Sequence, residues 1–216
     1  MYQAVLFDLD GTFADTALDL ALAVNQMREE RGLAPLPIGL TRPHTSSGAR
    51  GLIHVAFGLG PEDDAYPALR ERFLDLYGEN VCVNTRPFEG IPELLNALEA
   101  RRIPWGIVTN KASRFTDPLM RELGLHARAA CIVSGDTTGK IKPAPDSLLY
   151  AAKALNLRPS ACLYVGDDLR DVQAARAAGT GVLAVAYGYL GAEGDPHAWR
   201  ADAVIDHPSE VLNFLG

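Results

Sequence analysis

The sequence is poor in cysteine and has no cysteine pair with the spacing of a redox or zinc motif. Its three cysteines, Cys82, Cys131 and Cys162, lie far apart along 216 residues. This pattern argues against a disulfide-stapled scaffold and against a zinc site. Because Cys131 and Cys162 lie inside apolar runs, we expect both to be buried, reduced thiols.

Clustered positive charge is also absent. There are 27 acidic and 20 basic residues, which gives a formal net charge of -7, and no run is rich in Lys or Arg. Nucleic acids and anionic membrane surfaces are bound through basic patches, so neither is an expected partner.

No apolar run is long enough to predict a membrane span. The longest uncharged run, residues 177–192, contains four glycines and falls short of the length that a bilayer requires. The first apolar run is interrupted by Asp8 and Asp10, so it does not predict a signal peptide. We therefore expect no membrane association and a cytoplasmic location.

Residues 5–12, VLFDLDGT, are the most informative stretch that is present. Residues 5–7 predict a short buried strand, and Asp8 and Asp10 follow its carboxyl end. In open α/β sheets this end is where ligands bind. Two carboxylates this close repel each other, which a divalent cation or a proton would relieve. A polar turn after the strand is the simpler alternative, since Asp and Gly are common in turns.

The remainder of the chain alternates between strand and helix patterns. From residue 87 onward, strands are predicted at 105–108, 131–133, 162–165, 182–185 and 203–205, with helices between them. Such alternation indicates a mostly parallel sheet that helices cover on both faces. With 48% hydrophobic residues the chain can build a sizeable core. The predicted fold class is α/β, a doubly wound parallel sheet.

A helical segment interrupts this order directly after the first strand. We predict only helices between residues 15 and 81, the first of them capped by Thr16 and Asp19, and a small-residue turn at residues 45–51. We expect residues 15–81 to form a cap domain above the strand end, and residues 1–14 and 82–216 to form the catalytic core. A stabilising extension without a catalytic role is the alternative.

Several chemically active residues fall at the predicted carboxyl ends of strands. They are Asp8 and Asp10, Thr109 and Asn110, Lys142, and Asp167 and Asp168. In a parallel sheet these ends share one edge, so a carboxylate cluster, a hydroxyl and an ammonium would meet there. That set suits a phosphate group together with Mg²⁺. Each residue alone also fits a cap, a turn or an exposed surface.

Four segments carry a resemblance to a known family. Residues 8–12, 108–111, 142–146 and 166–171 match, in order, the four motifs of haloacid dehalogenase superfamily phosphatases. The resemblance runs nearly end to end. It implies a Rossmann-like core with a small helical cap domain, and Mg²⁺-dependent hydrolysis of a small phosphate monoester.

The resemblance assigns the reacting groups to the first and fourth motifs. It implies that Asp8 is the nucleophile that forms an aspartyl-phosphate, and that Asp10 is the general acid and base. It also implies that Mg²⁺ is bound by Asp8, by the backbone carbonyl of Asp10 and by Asp167.

The second and third motifs would bind the phosphoryl group. The resemblance implies this role for Thr109, Asn110 and Lys142, and a supporting position for Asp171 beside the metal or Lys142. Asp168 departs from the Ser or Thr that is often found at its position, and the resemblance assigns it no role.

Resemblance within the superfamily bears on the substrate. The overall pattern is similar to bacterial phosphoglycolate phosphatases, which makes 2-phosphoglycolate the first expectation. Residues 46–51 and 187–196 are also similar to a proteobacterial subgroup, some of whose members act on N-acetylmuramic acid 6-phosphate. Both molecules carry a carboxylate, which Arg50 of the predicted cap is suited to bind. Arg50 could equally be a solvated residue at a helix start.

Two other functions are alternatives to a phosphatase. A sugar phosphomutase uses the same four motifs but must keep water from the phosphoaspartate. A catalytically silent binding protein of the same fold is expected to have lost Asp8, Asp10 or Asp167, and all three are present. The expected partner is a small phosphorylated metabolite, and the sequence leaves a monomer and a homodimer open.

Overall fold

The computed structural model describes residues 1–191 and 194–216. These residues contain eight strands, in chain order β1 Ala4–Phe7, β2 Ala14–Asp15, β3 Arg86–Pro87, β4 Trp105–Val108, β5 Cys131–Val133, β6 Cys162–Gly166, β7 Gly181–Val185 and β8 Ala203–Ile205. Six of them form one parallel sheet in the order β5-β4-β1-β6-β7-β8. The predicted doubly wound parallel sheet is confirmed.

Alternation along the strands creates two separate apolar layers. In β1, Val5 and Phe7 join one buried cluster, whereas Ala4 and Leu6 join another. The α-helices in the described part of the chain are α1 Ala17–Glu29, α2 Ile38–Thr41, α3 Gly48–Phe57, α4 Tyr66–Glu79, α5 Ile91–Ala100, α6 Ser113–Glu122, α7 Asp146–Ala154 and α8 Leu169–Ala178. Helices α5 and α6 cover the first face of the sheet, and α7 and α8 cover the second. In the described residues, no helix is long and apolar enough to cross a membrane.

The direction in which the sheet is built reverses at β1. The chain passes from β1 to β4 and β5 on one side, and then returns to place β6, β7 and β8 on the other side. Such a reversal opens a crevice at the carboxyl ends of the central strands. Asp8 follows β1 directly, so the fold places it at this crevice.

Helices α1 to α4, here called the helical insert, have an apolar core of their own. Leu20 and Val24 of α1 pack there with Ile53 of α3 and Phe73 of α4, and Phe115 of α6 joins them from the core side. The insert is thus a separately packed unit with one apolar attachment to α6.

The prediction that residues 15–81 contain no strand is wrong at residue 15. Asp15 belongs to β2, which pairs with β3 as a two-stranded antiparallel ribbon. Two residues are too few for an alternation pattern, so the sequence contains no signal for this ribbon. The domain boundaries at 14/15 and 81/82 stay predictions.

The predicted capping pair at the start of α1 is also wrong. Thr16 makes no side-chain cap, and its hydroxyl instead donates to Asp10 Oδ1 at 2.5 Å. The Asp19 carboxylate is buried. It accepts hydrogen bonds from the backbone N–H groups of Asn84 and Thr85, from the Asn84 side-chain amide and from the Thr85 hydroxyl. Asp19 therefore ties the chain that enters the insert to the chain that leaves it.

Two smaller predictions need correction. Residues 45–51 are not a turn, because a 3-10 helix at Arg42–Ser47 runs directly into α3. Cys131 is only half-buried, because its strand lies at the edge of the sheet, whereas Cys162 is fully buried as predicted. All three cysteines are free thiols.

We predict that Asp19→Ala destabilises the protein by about 3 kcal/mol, because hydrogen-bond donors of Asn84 and Thr85 lose a charged acceptor inside the protein. Urea unfolding followed by circular dichroism measures this change. The matched control is Asp75→Ala on the exposed side of α4, for which we expect less than about 0.5 kcal/mol. Equal effects in the two variants would contradict the role of Asp19 as a tie.

Candidate active site

A cavity of about 350 Å³ lies between the carboxyl edge of the sheet and the helical insert. Seven of the eight predicted site residues line it: Asp8, Asp10, Arg50, Thr109, Asn110, Lys142 and Asp171. The eighth, Asp167, lies beside the cavity, where its carboxylate is within 4.8 Å of those of Asp8 and Asp171. The structure thus brings together all the residues that the motifs predicted.

Lys142 is the buried cation at the base of this cavity. Its ammonium group lies 2.8 Å from Asp8 Oδ1, 2.7 Å from Asp171 Oδ1 and 2.8 Å from Tyr164 Oη. Burial by itself would lower the pKa of Lys142, but the charges of Asp171 and Asp8 outweigh it and raise that pKa. Lys142 is therefore a fixed positive charge against the Asp8 carboxylate.

Three carboxylates lie close together here, and two of them, Asp8 and Asp171, pair with Lys142. Oxygen atoms of Asp8, Asp167 and Asp171 all lie within 4.8 Å of one another. Burial, together with the charges of Asp171 and Asp10, raises the pKa of Asp8 to about 7 although Lys142 opposes the shift. Burial and the charges of Asp8 and Asp171 likewise raise the pKa of Asp167 well above its usual value. Oxygen donors that are both buried and mutually repelling fit a hard divalent cation.

Asp167 is held rigidly at this point. Its carboxylate accepts hydrogen bonds from Thr12 Oγ1 at 3.2 Å and from the backbone N–H of Tyr189 at 2.9 Å. Glycines at positions 11 and 188 allow the close approach, because a Cβ at either position would overlap Asp167.

Asp171 already has donors on both of its carboxylate oxygens. Oδ1 accepts from Lys142, and Oδ2 accepts from the backbone N–H of Asp168 at 3.1 Å. This geometry suits the supporting position that the resemblance implies. Asp168, which had no predicted role, caps α8 and forms an ion pair with Arg170 at 2.7 Å.

The side chains of Thr109 and Asn110 have different surroundings. The Asn110 side-chain amide is used within the protein, since it donates to the backbone carbonyl of Lys142 at 3.0 Å and accepts from its N–H at 2.9 Å. Across residues 1–191 and 194–216 we find no acceptor for the Asn110 backbone N–H. The Thr109 hydroxyl accepts from the Lys111 N–H at 3.2 Å and keeps its own proton to donate. Asn110 can therefore offer a ligand its backbone N–H, and Thr109 its hydroxyl.

The insert reaches the site through the 3-10 helix that precedes α3. Ser46 Oγ donates to Asp167 Oδ2 at 3.3 Å, and the carbonyl of Ser46 accepts from Arg170 Nη2 at 2.6 Å. Arg50, the predicted insert residue, is exposed at the first turn of α3 and lines the cavity. The two contacts of Ser46 hold the insert against the core, so the structure is a closed one.

Sequence reasoning missed several residues that touch the site. The sequence predicts Tyr164 only as a strand residue, yet its hydroxyl contacts Lys142 and Asp171. A side chain with a polar tip in an otherwise aliphatic strand is the feature that could have indicated this role. Ser46 and Lys111 carried no local signal of this kind. Within the segment 187–196, which resembles the proteobacterial subgroup, Tyr189 contacts the site because its backbone N–H donates to Asp167. Residues 192 and 193 of this segment lie outside the described residues.

The sequence matches known proteins over nearly its whole length. Residues 5–185 match the family model described as haloacid dehalogenase-like hydrolase. The chain is 46% identical to the N-acetylmuramic acid 6-phosphate phosphatase of Pseudomonas putida, over 99% of this chain and 96% of that protein. It is 41% identical to the phosphoglycolate phosphatase of Xylella fastidiosa, over 95% of this chain and 90% of that protein.

Structural comparison points the same way. A predicted phosphoglycolate phosphatase from Haemophilus somnus superposes with a TM-score of 0.87 at 27% identity, over 100% of this chain and 98% of the other. A parallel sheet with four motifs at its carboxyl edge, together with close relatives that are phosphatases, leads to one conclusion. The chain belongs to the haloacid dehalogenase-like hydrolase family and is a phosphatase, a phosphoric monoester hydrolase.

Proposed function

We propose that this phosphatase hydrolyses a small carboxylated phosphate monoester through a phosphoaspartate at Asp8, with Mg²⁺ as its cofactor. The observation that carries the proposal is the placement of the Asp8 carboxylate beside Lys142, at 2.8 Å, on the floor of the cavity.

Asp8 is the proposed nucleophile and Asp10 the proposed acid and base. An Asp8 oxygen forms a bond to phosphorus as the ester P–O bond breaks, and Asp10 gives its proton to the departing alkoxide. A water molecule then attacks phosphorus and gives a proton to Asp10, which releases inorganic phosphate and restores the Asp8 carboxylate. Both residues line the cavity, as this sequence requires.

The residues around Asp8 fit a bound Mg²⁺. We propose that Asp8 and Asp167 provide carboxylate ligands and that Asp10 provides its backbone carbonyl. Bound Mg²⁺ would offset the repulsion among the carboxylates and the charge on the phosphoryl oxygens. We propose that Asp171 supports this set through Lys142, because its Oδ1 lies 2.7 Å from that ammonium group.

The phosphoryl oxygens have three proposed partners. They are the Thr109 hydroxyl, the Asn110 backbone N–H and the Lys142 ammonium, of which Lys142 also touches Asp8. Lys142 thereby holds the nucleophile and the phosphoryl group together, which lowers the entropic cost of their encounter.

The outer part of the cavity favours a substrate larger than 2-phosphoglycolate. A volume of about 350 Å³ lies in the range of sites for molecules of drug size, and Leu20, Tyr66 and Phe73 give it an apolar wall. N-acetylmuramic acid 6-phosphate has a sugar ring to lie on such a wall, and the relative at 46% identity is named for this substrate. We place it first for testing, and 2-phosphoglycolate, the substrate of the 41% relative, second. Arg50 is the proposed partner of the carboxylate in either substrate.

A sugar phosphomutase remains the alternative within the same chemistry. A mutase requires a sugar bisphosphate activator and releases inorganic phosphate slowly. Rapid phosphate release without any bisphosphate separates the two. A cytoplasmic location and a small phosphorylated metabolite as partner are part of the proposal, with monomer and homodimer both open.

We predict that Asp8→Asn lowers kcat by about four orders of magnitude or more, because an amide cannot replace the carboxylate nucleophile. Phosphate release from either substrate measures this loss, and the circular dichroism spectrum should be unchanged. Asp64→Asn on the exposed surface is the matched control and should retain full activity. Near-normal turnover by the Asp8 variant would rule out the phosphoaspartate.

We predict that Mg²⁺ raises the melting temperature of the wild-type protein. At about 100 times its Kd a ligand stabilises the folded state by about 2.7 kcal/mol, which corresponds to several degrees in a chain of this size. Asp167→Asn should abolish the shift, because it removes a proposed ligand, and Asp64→Asn should preserve it. Differential scanning calorimetry with Mg²⁺ or with a chelator gives the answer. An equal shift in all three proteins would contradict the proposed metal site.

We predict that Arg50→Ala raises KM for both carboxylated substrates by about 10- to 100-fold, because the loss of one hydrogen bond between charged groups weakens binding by about this factor. For p-nitrophenyl phosphate, which has no carboxylate, we expect a change below about threefold. Arg121→Ala, an exposed arginine of α6 that does not line the cavity, is the control. The same increase for all three substrates would remove Arg50 from carboxylate recognition.

A further inference from the structure

Lys111 is a buried lysine at the site for which neither the motifs nor the proposed reaction gives a role. Its side chain is 7% exposed and lines the cavity next to Asn110. The ammonium group lies 3.0 Å from Asp10 Oδ1 and donates to Tyr77 Oη at 2.8 Å. Tyr77 belongs to α4 of the helical insert, so Lys111 joins the insert to Asp10.

The donors around Asp10 converge on one of its two oxygens. Thr16 Oγ1 donates to Asp10 Oδ1, and Lys111 approaches the same atom. In the part of the chain that the structure describes, no donor to Asp10 Oδ2 is found. The carboxyl group is thus anchored through Oδ1, with Oδ2 left for another partner.

This asymmetry matters for a group that must both give and take a proton. In a neutral carboxyl group one oxygen carries the proton and the other still accepts hydrogen bonds. The bonds from Thr16 and Lys111 can therefore persist in both protonation states of Asp10. An acid held in this way presents the same oxygen to the leaving group in the first step and to water in the second.

We propose that Lys111 is a positioning residue which, held by Tyr77 of the insert, orients Asp10 so that Oδ2 is the oxygen of proton transfer. The inference rests on the acid and base role of Asp10 in the proposed function. It gives the insert a part in the chemistry beyond covering the site, because the second partner of Lys111 comes from α4.

The test compares two leaving groups in single turnover. An alkyl phosphate such as N-acetylmuramic acid 6-phosphate needs a proton for its leaving oxygen, whereas p-nitrophenolate leaves p-nitrophenyl phosphate without one. With enzyme in excess, quenched flow and stopped flow measure the release of each leaving group before the second step can limit the rate. General acid catalysis is worth about 10²- to 10⁴-fold, so a misoriented acid should lose part of that range.

We expect Lys111→Met to slow release from the alkyl phosphate by about 10- to 100-fold, and release of p-nitrophenolate by less than about threefold. Tyr77→Phe, which removes only the hydroxyl group, should show the same selectivity at smaller size and carries the test if the first variant folds poorly. Lys153→Met, an exposed lysine of α7, is the matched control and should change neither rate.

The variant Asp10→Asn separates this inference from the proposed function. If Asp10→Asn shows no selectivity between the leaving groups, the acid role itself fails. If Asp10→Asn is selective and the Lys111 and Tyr77 variants are not, only the positioning role is overturned. A rise in KM with equal loss on both esters would identify Lys111 as a substrate-binding residue instead.

Discussion

The crowding of negative charge at the carboxyl ends of β1 and β6 is the constraint on which the site depends. Oxygen atoms of Asp8, Asp167 and Asp171 lie within 4.8 Å of one another, and the Lys142 ammonium group pairs with Asp8 and Asp171. Buried carboxylates at this spacing are tolerated only when counter-charge and hydrogen-bond donors are supplied from all sides. Thr12, Tyr164 and the Tyr189 N–H are such donors, which explains why strands and loops far apart in the chain converge there.

The helical insert is attached to the core at its base and again above the cavity. A small ribbon, the Asp19 tie and the packing of Phe115 fix its base, while Ser46 and Tyr77 reach polar groups of the core. The base contacts use apolar burial and charged hydrogen bonds, which are strong. Above the cavity, Ser46 makes two hydrogen bonds and Tyr77 makes one, each with a charged side chain of the core. Hydrogen bonds of this kind contribute about 1.5 to 3 kcal/mol each.

The sequence predicted the sheet and the motif residues well, because strand periodicity and motif spacing are local properties. It failed where a side chain's partner is distant in the chain. Asp19 has the spacing of a helix cap, but its partners are 65 and 66 residues away. Tyr164 and Lys111 likewise acquire their roles only when β4, β6 and the insert meet. The β2–β3 ribbon is too short to leave a pattern, and the wrong prediction at Asp15 follows from that.

The contact between Ser46 and Asp167 couples the position of the insert to the electrostatics of the carboxylate cluster. Thermodynamic linkage makes such coupling reciprocal. If the contact of the insert with the core raises the affinity for a cation by some factor, binding of that cation favours the contact by the same factor. Ser46 is also held by Arg170, whose guanidinium pairs with Asp168 at the start of α8. A substitution at Asp168 would therefore act on the position of the insert through Arg170 and Ser46, and through Ser46 on the carboxylate cluster.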